Sequence, residues 1–312
     1  MNKTKILAVV GPTASGKSAL AMALAERLAG EIVSCDSMQI YCRMDIGTAK
    51  PTESERAAVR HHMIDIVEPT ESFTCADYVA TASRAIEDCV SRGKLPIVCG
   101  GTGLYLDALL RGVDFAEGGA DECLRAELAA FAEREGNEAL HAELRRIDPE
   151  SAEAVHPNNV KRVIRAIEIF RTTGVTKTEL DRRSREGGER YDATVIGLRY
   201  LDREHLYARM DCRVDRMLDE GLLDETRSLL AEGVFEANQT AAQAIGYKEL
   251  LGYLRGEELL GTATERLKMA TRRYGKRQMT WFAAKPYVSW IDADQKTFEE
   301  IVNIAEKLFL KA

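Results

Sequence analysis

The sequence predicts an α/β fold in which a parallel sheet is flanked by helices and an all-helical domain is inserted into the core. Short apolar runs alternate with longer helical segments in the first third of the chain, which is typical of βαβ units. A helical pattern without strands then covers about residues 115–190. We therefore predict a core of residues 1–114 and 191–312 and a helical insertion of residues 115–190.

The predicted strands are the apolar runs Lys5–Val10, Glu31–Cys35, Leu95–Cys99, Ala193–Leu198 and Val288–Ile291. An Ala/Leu-rich segment with helical spacing, Ser18–Ala29, connects the first two. Further helical patterns cover residues 203–232, 241–255 and 262–284. Parallel strands need crossover connections of about a dozen residues or more, and helices of this length supply them.

Composition excludes several classes of protein. With 312 residues, 45% hydrophobic and 30% charged, the chain is neither disordered, collagen-like nor a coiled coil. Apolar runs such as Ile6–Val10 are far shorter than the roughly 20 residues of a membrane span. The amino end leads directly into a motif, so we expect no cleavable signal peptide. Seven cysteines without a CxxC pair favour free thiols and a cytoplasmic location over disulfides or a zinc ribbon.

Charge is unevenly distributed along the chain. The net charge of −7 is not that of a protein that coats nucleic acid. Residues 155–190, however, carry nine basic and five acidic side chains, and residues 266–277 carry six basic side chains and no acid. A polyanionic partner would therefore be bound by selected faces.

A phosphate-binding loop follows the first predicted strand. The motif GxxxxGK[ST] is matched by Gly11, Pro12, Thr13, Ala14, Ser15, Gly16, Lys17 and Ser18. Its glycines let backbone N–H groups surround phosphate oxygens at the start of a helix. Lys17 supplies a positive charge and the Ser18 hydroxyl can ligate Mg²⁺. The motif predicts a P-loop NTPase-like core that binds a di- or triphosphate.

The carboxylate that usually accompanies this loop is not found at the end of the third strand. The third strand ends in Gly100–Gly103 without an acid, whereas Asp36 follows the second strand. Ligands bind at the carboxyl edge of an open sheet, so Asp36 and Thr102 should both face the phosphate loop. Asp36 could instead be a helix N-cap or turn residue. Together with Gln39, it could hydrogen-bond an adenine edge.

Over nearly its whole length the chain resembles the tRNA dimethylallyltransferases, also called tRNA isopentenyltransferases. The resemblance is carried, in chain order, by Gly11–Ser18, Asp36–Tyr41, Met44–Pro51, His61–Asp65, Gly100–Tyr105, Arg162–Glu168, Gln243–Glu249 and Lys276–Phe282. The phosphate loop alone is shared by many enzymes, but this combination in this order is specific. Departures such as Asn159 and Gly275 do not touch the chemistry.

The resemblance implies transfer of a dimethylallyl group from its diphosphate to N6 of adenosine 37 in tRNA, beside the anticodon, within a run of adenosines at positions 36–38. It implies Mg²⁺ as the cofactor and a monomer. Lys17, the loop and Arg213 would neutralise the leaving diphosphate. Asp36 would accept an N6 proton from a flipped-out base. Thr102 would hydrogen-bond the leaving oxygen or the amine.

The resemblance also assigns tRNA contacts. They are Asp36, Ser37, Met38, Gln39, Thr102, Arg125, Lys161, Arg162, Val163, Ile164, Arg165, Gln243, Ala244, Ile245, Gly246, Tyr247, Lys248, Lys276, Arg277, Gln278, Met279, Thr280, Trp281 and Phe282. From the residues alone, each basic helical segment is more simply a solvated face, and Arg213 could equally form a surface ion pair with Asp215 or Glu220. The pair His61 and His62 has no ligand set at zinc spacing, so we expect a structural or RNA-adjacent role.

Three alternatives to tRNA prenylation are open. An adenylate isopentenyltransferase would act on free AMP, ADP or ATP and would not need the basic segments at 161–165 and 272–282. A small-molecule kinase of the P-loop class normally has the strand-end carboxylate that is missing here. A nucleotide-gated RNA-binding switch would leave Asp36 and Thr102 without a reason to flank the loop.

Overall fold

The computed structural model describes residues 3–111, 121–186 and 188–311. Its strands are β1 (Thr4–Val10), β2 (Gly30–Ser34), β3 (His61–His62), β4 (Leu95–Gly100), β5 (Tyr191–Arg199) and β6 (Val288–Asp292). They form one sheet in the order β3-β2-β4-β1-β5-β6, and every neighbouring pair is parallel. The predicted α/β class with a parallel sheet is confirmed.

The described residues divide into two compact units, one within Met1–Leu110 and Tyr191–Ala312 and the other within Arg111–Arg190. Helices of the first are α1 (Lys17–Arg27), α2 (Glu53–Ala58), α3 (Cys75–Ser91), α4 (Gly103–Arg111), α10 (Arg203–Asp219), α11 (Leu222–Ala231), α12 (Val234–Ala237), α13 (Gln239–Ala242), α14 (Leu251–Leu254), α15 (Leu260–Ala283) and α16 (Phe298–Lys311). Those of the second are α5 (Glu122–Glu135), α6 (Asn137–Ile147), α7 (Pro149–Ala154), α8 (Val160–Thr173) and α9 (Lys177–Glu186). The predicted boundary between residues 114 and 115 lies outside the described residues.

Apolar side chains on one face of the sheet pack against α1 and α16. Leu7 and Val9 occupy alternate positions of β1 and are fully buried in this cluster, as is Leu24 of α1; Phe309 of α16 is buried there to 7% exposure. The period of two in the strand and the helical spacing in α1 therefore meet in one core. This packing fixes the start of α1, and hence the phosphate loop, at the carboxyl end of β1.

Two helical predictions are wrong in detail. The pattern over residues 203–232 is interrupted because Gly221 has φ +104° and separates α10 from α11. The pattern over 241–255 is mostly turns, with α14 covering only four residues. Gly246 at φ +111° donates its N–H to the Glu249 carboxylate at 3.0 Å, which stabilises a loop in place of a helix.

A close backbone contact joins the carboxyl ends of β2 and β4. The Cys35 N–H donates to the Cys99 carbonyl at 2.8 Å, and the Thr102 N–H donates to the Cys35 carbonyl at 3.1 Å. A Cβ atom on Gly100 would lie 2.1 Å from the Cys35 carbonyl oxygen. Only glycine therefore permits this approach, which brings the residues after both strands together.

We predict that Gly100→Ala lowers the free energy of unfolding by at least about 3 kcal/mol, because the methyl group would displace backbone. Gly261→Ala is the matched control, since no atom lies within 4 Å of a Cβ there and alanine favours a helix by about 0.5–1 kcal/mol. Urea denaturation of both variants is the measurement. Equal midpoints would contradict the steric argument.

Candidate active site

The phosphate loop has the backbone that its glycines predict. Gly11 has φ +148° and Gly16 has φ +94°, and α1 begins immediately afterwards at Lys17. A Cβ on Gly11 would lie 2.8 Å from the Leu198 carbonyl oxygen, so the loop passes directly over the end of β5. The start of α1 supplies unpaired N–H groups that suit an anion.

Two cations and one carboxylate set the charge beside this loop. Burial lowers the pKa of Lys17, the neighbouring Arg213 lowers it further, and Asp36 counteracts both. Burial also lowers the pKa of Arg213, which Asp36 likewise opposes. Arg213 lines the cleft, while Asp215, one of its possible surface partners, pairs with Lys268 at 2.6 Å. The cleft thus concentrates positive charge, as a diphosphate requires.

Asp36 and Thr102 lie in one turn network. Asp36 Oδ1 accepts from the Met38 N–H at 2.9 Å, and Thr102 Oγ1 accepts from the Ser37 N–H at 3.1 Å. Asp36 therefore has the turn role that its position allowed, but this uses only one of its oxygens; no hydrogen bond of Oδ2 is found within the described ranges. Burial holds the pKa of Tyr274 of α15 well above its usual range, and the nearby Thr102 lowers it in part.

The Gln39 side chain, which the sequence suggested as an adenine contact, has no free amide hydrogen in the structure. Its Nε2 donates to the Thr48 and Ala49 carbonyls at 3.2 and 3.0 Å, and its Oε1 accepts from Ser34 Oγ at 2.8 Å. The side chain therefore supports the loop at residues 48–49. This corrects the sequence interpretation of Gln39 as an available adenine reader.

A cleft of about 530 Å³ gathers most of the predicted core-unit site residues. Its lining includes Thr13, Lys17, Ser18, Asp36, Ser37, Met38, Gln39, Arg213, Gln243, Ala244, Ile245, Gly246, Lys248, Arg277 and Gln278. Thr271 and Tyr274 also line it and were missed. Thr271 precedes Tyr274 by three residues and Tyr274 precedes Gln278 by four, so all three lie on one face of α15. This helical spacing is a sequence signal that could have identified Thr271 and Tyr274.

Tyr247 is buried and does not line the cleft. Its hydroxyl donates to Glu225 Oε1 at 2.7 Å, and the Glu225 carboxylate also accepts from the N–H groups of Asp45, Ile46 and Gly47 at 2.9–3.1 Å. A Cβ on Gly47 would lie 2.5 Å from the Tyr247 ring. Tyr247 therefore holds two walls of the cleft together and has no exposed side-chain surface for RNA.

The end of α15 has an exposed face and a buried face. Lys276, Arg277 and Thr280 are exposed, and the Arg277 guanidinium lies 5.6 Å from the Tyr274 ring centre. The others are wholly or partly buried: Phe282 is 1% exposed, Gln278 is 5% exposed, and Met279 and Trp281 are partly buried. A Cβ on Gly103 would lie 2.2 Å from Trp281 Cδ1, so the indole packs on the glycine turn.

In the helical unit, α8 presents Lys161, Arg162 and Arg165 to solvent. Its Val163 and Ile164 are buried in the core of that unit, where they offer no surface to RNA. Burial alone would raise the pKa of the Glu168 carboxyl, but hydrogen bonds from Arg165 and Arg125 hold it below its usual range. Two of the predicted RNA-binding arginines are thus partly neutralised by one buried acid.

His62 belongs to an ion-pair cluster that the spacing did not predict. Its Nε2 lies 2.7 Å from Glu31 Oε2 and 3.4 Å from Cys89 Sγ, so metal-ligand types do meet in space. Arg92, however, hydrogen-bonds both Glu31 oxygens and holds the pKa of that carboxyl at about 2. Because Arg92 already compensates the acid, we interpret the cluster as structural. His61 instead lines the cleft.

The family model described as IPP transferase matches residues 39–285. The chain belongs to this family. It is 49% identical to a tRNA dimethylallyltransferase from Bacillus licheniformis over 99% of this chain and 100% of that protein, and 47% identical to one from Bacillus subtilis over 99% and 100%.

Solved structures agree with this membership. A tRNA isopentenylpyrophosphate transferase from Bacillus halodurans superimposes with a TM-score of 0.73 at 44% identity, over 99% of this chain and 98% of that one. A eukaryotic dimethylallyltransferase acting on tRNA gives 0.82 at 29% identity, over 99% and 80%. The predicted P-loop-like fold is confirmed. Within the described ranges, no helix has the length and apolarity to cross a membrane.

We predict that affinity for dimethylallyl diphosphate falls as pH rises through the lowered pKa of Lys17, because the cation loses its charge at a lower pH than an ordinary lysine. Lys17→Arg is the matched control, since arginine stays charged. The dissociation constant of each protein is measured by calorimetry from pH 7 to 10. Any change in protonation of the ligand itself affects both proteins equally. Parallel pH profiles of the wild type and Lys17→Arg would therefore contradict a loss of charge on Lys17 over this pH range.

Proposed function

We propose that this chain transfers the dimethylallyl group of dimethylallyl diphosphate to N6 of adenosine 37 in tRNAs with adenosines at positions 36–38, and releases diphosphate. The observation that carries the proposal is the position of Asp36 in one cleft with Lys17 and Arg213 beside the phosphate loop, with Thr102 bonded to the N–H of the neighbouring Ser37. The names of relatives matched along nearly the full chain support the same reaction.

The phosphate loop holds the leaving group in this mechanism. Breaking the bond between C1 and oxygen puts its electron pair on diphosphate, and Lys17, Arg213 and loop N–H groups stabilise that charge. The exposed Ser18 lines the cleft, and its hydroxyl is a hard oxygen ligand that would hold Mg²⁺. When bound, Mg²⁺ would neutralise further negative charge on the leaving group.

Asp36 acts on the nucleophile. The N6 lone pair forms the new bond to C1 while one N6 proton passes to Asp36 Oδ2, the oxygen not used by the Met38 N–H. Thr102 Oγ1, which accepts from the Ser37 N–H next to Asp36, orients the reacting groups. These assignments also need a flipped base, since a stacked adenine does not present N6 to a cleft.

Exposed cations favour an RNA substrate over free adenylate. Lys161, Arg162, Lys276 and Arg277 are exposed and would have no ligand in an enzyme that acts on AMP. The test incubates the purified chain with Mg²⁺, dimethylallyl diphosphate and either unmodified tRNA or AMP, followed by mass spectrometry of nucleosides. Prenylated adenosine from tRNA supports the proposal; a product from AMP alone would replace it by the adenylate reaction.

We predict that Asp36→Asn lowers kcat by about 10²–10⁴-fold, the usual contribution of a general base, and changes tRNA affinity little. Single-turnover kinetics at saturating substrates and filter binding measure the two quantities. The exposed Asp192 provides the control variant Asp192→Asn, which should behave as wild type. An unchanged kcat in Asp36→Asn would remove the general-base assignment.

We predict that Arg277→Glu weakens tRNA binding and reduces the slope of log affinity against log salt by about 1, as expected for the loss of one phosphate contact. Arg255 is exposed and lies outside the cleft, so Arg255→Glu controls for net charge. Both variants are titrated with tRNA at several salt concentrations. Identical slopes would make Arg277 part of a solvated helix face.

A further inference from the structure

Gln278 joins two motifs that are far apart in the sequence. Its Oε1 accepts from the Thr13 N–H of the phosphate loop at 2.8 Å, and its Nε2 donates to the Gly101 carbonyl at 3.0 Å. The side chain is 5% exposed. One buried amide therefore bridges the loop after β1 and the turn after β4, and both of its polar atoms are used.

The contact between the Gln278 amide and the backbone at residue 101 requires glycine at that position. A Cβ atom there would lie 2.0 Å from Gln278 Nε2, which is closer than any real contact, so the amide occupies the space of a missing side chain. A buried amide that has lost one partner is costly. The two hydrogen bonds of Gln278 are therefore costly to break, and they keep the Thr13 N–H directed toward Gln278.

This bridge acts on a segment that needs support. The phosphate loop contains Ala14 at φ +62°, a sparsely populated conformation for a residue with a side chain. Fixing such a loop before the ligand arrives reduces the ordering that binding must accomplish. One turn earlier on α15, the Tyr274 hydroxyl lies near Thr102, which moderates the raised pKa of Tyr274. The same helix face thus contacts the phosphate loop through Gln278 and approaches Thr102 through Tyr274.

We propose that Gln278 is a positioning residue for the diphosphate substrate and not an RNA contact. It presets the phosphate loop against the Gly101 turn, so that the leaving group is bound by an already ordered loop. This inference rests on the proposed function for the identity of the substrate. It replaces the sequence-based assignment of Gln278 to tRNA binding, which its burial and its two internal hydrogen bonds disfavour.

The test compares Gln278→Met, which keeps the length of the side chain and removes both hydrogen bonds, with Gln278→Glu, which keeps only the acceptor for the Thr13 N–H. Affinities for inorganic diphosphate and for tRNA are measured separately. We expect diphosphate binding to weaken about tenfold to a hundredfold in Gln278→Met while the tRNA dissociation constant stays within about twofold. The exposed Gln239 provides Gln239→Met as the control.

Hydrogen exchange of residues 11–18 is the second measurement, and Gln278→Glu is the second variant if Gln278→Met does not fold. We expect faster exchange of the Thr13 amide in Gln278→Met than in Gln278→Glu, because only glutamate retains its acceptor. Unchanged diphosphate affinity with unchanged exchange, or an equal loss of tRNA affinity, would overturn the inference. A wild-type chain that prenylates no tRNA would contradict the proposed function alone, since both measurements remain valid without turnover.

Discussion

The geometry of the cleft depends on how closely β2 and β4 approach at their carboxyl ends. Hydrogen bonds from the Cys35 N–H to Cys99 and from the Thr102 N–H to Cys35 continue the strand pairing past its last regular residues. Gly100 makes this possible, because any side chain would meet the Cys35 carbonyl. Asp36 and Thr102 are the next polar residues along these two paths. Their proximity is therefore a consequence of backbone pairing and does not require a direct contact between them.

Keeping two desolvated cations charged in the cleft costs free energy, and a bound anion would reduce this cost. Lys17 and Arg213 both have lowered pKa values, in each case mainly because of burial; Arg213 lowers that of Lys17 further, and Asp36 offsets only part of the effect on each. A bound diphosphate would supply the missing negative charge, which stabilises both cations in their charged forms. In an alkyl transfer the diphosphate gains charge as the bond breaks, so the same cations favour the departing state over the substrate.

Elements with strong local signals were predictable, whereas side-chain partnerships were not. Apolar runs identified β1, β2, β4, β5 and β6, because buried parallel strands are hydrophobic on both faces. The strand β3 consists of two histidines and has no such signal. The interruption at Gly221 depends on a left-handed backbone, which a mostly helical pattern obscures. Thr13 and Gln278 are 265 positions apart, and no spacing rule could join them.

Motifs of this chain are coupled in pairs through glycines. Gly47 accommodates the ring of Tyr247, Gly101 accommodates the amide of Gln278, and Gly103 accommodates the indole of Trp281. Each pair joins an early motif to a late one, so a change in one member acts on its partner. The family resemblance groups Tyr247, Gln278 and Trp281 with the exposed Lys276 and Arg277 as tRNA contacts. Burial separates them, because a side chain that fills a glycine space inside the protein orders the cleft, while only the exposed cations are free to meet a phosphate backbone.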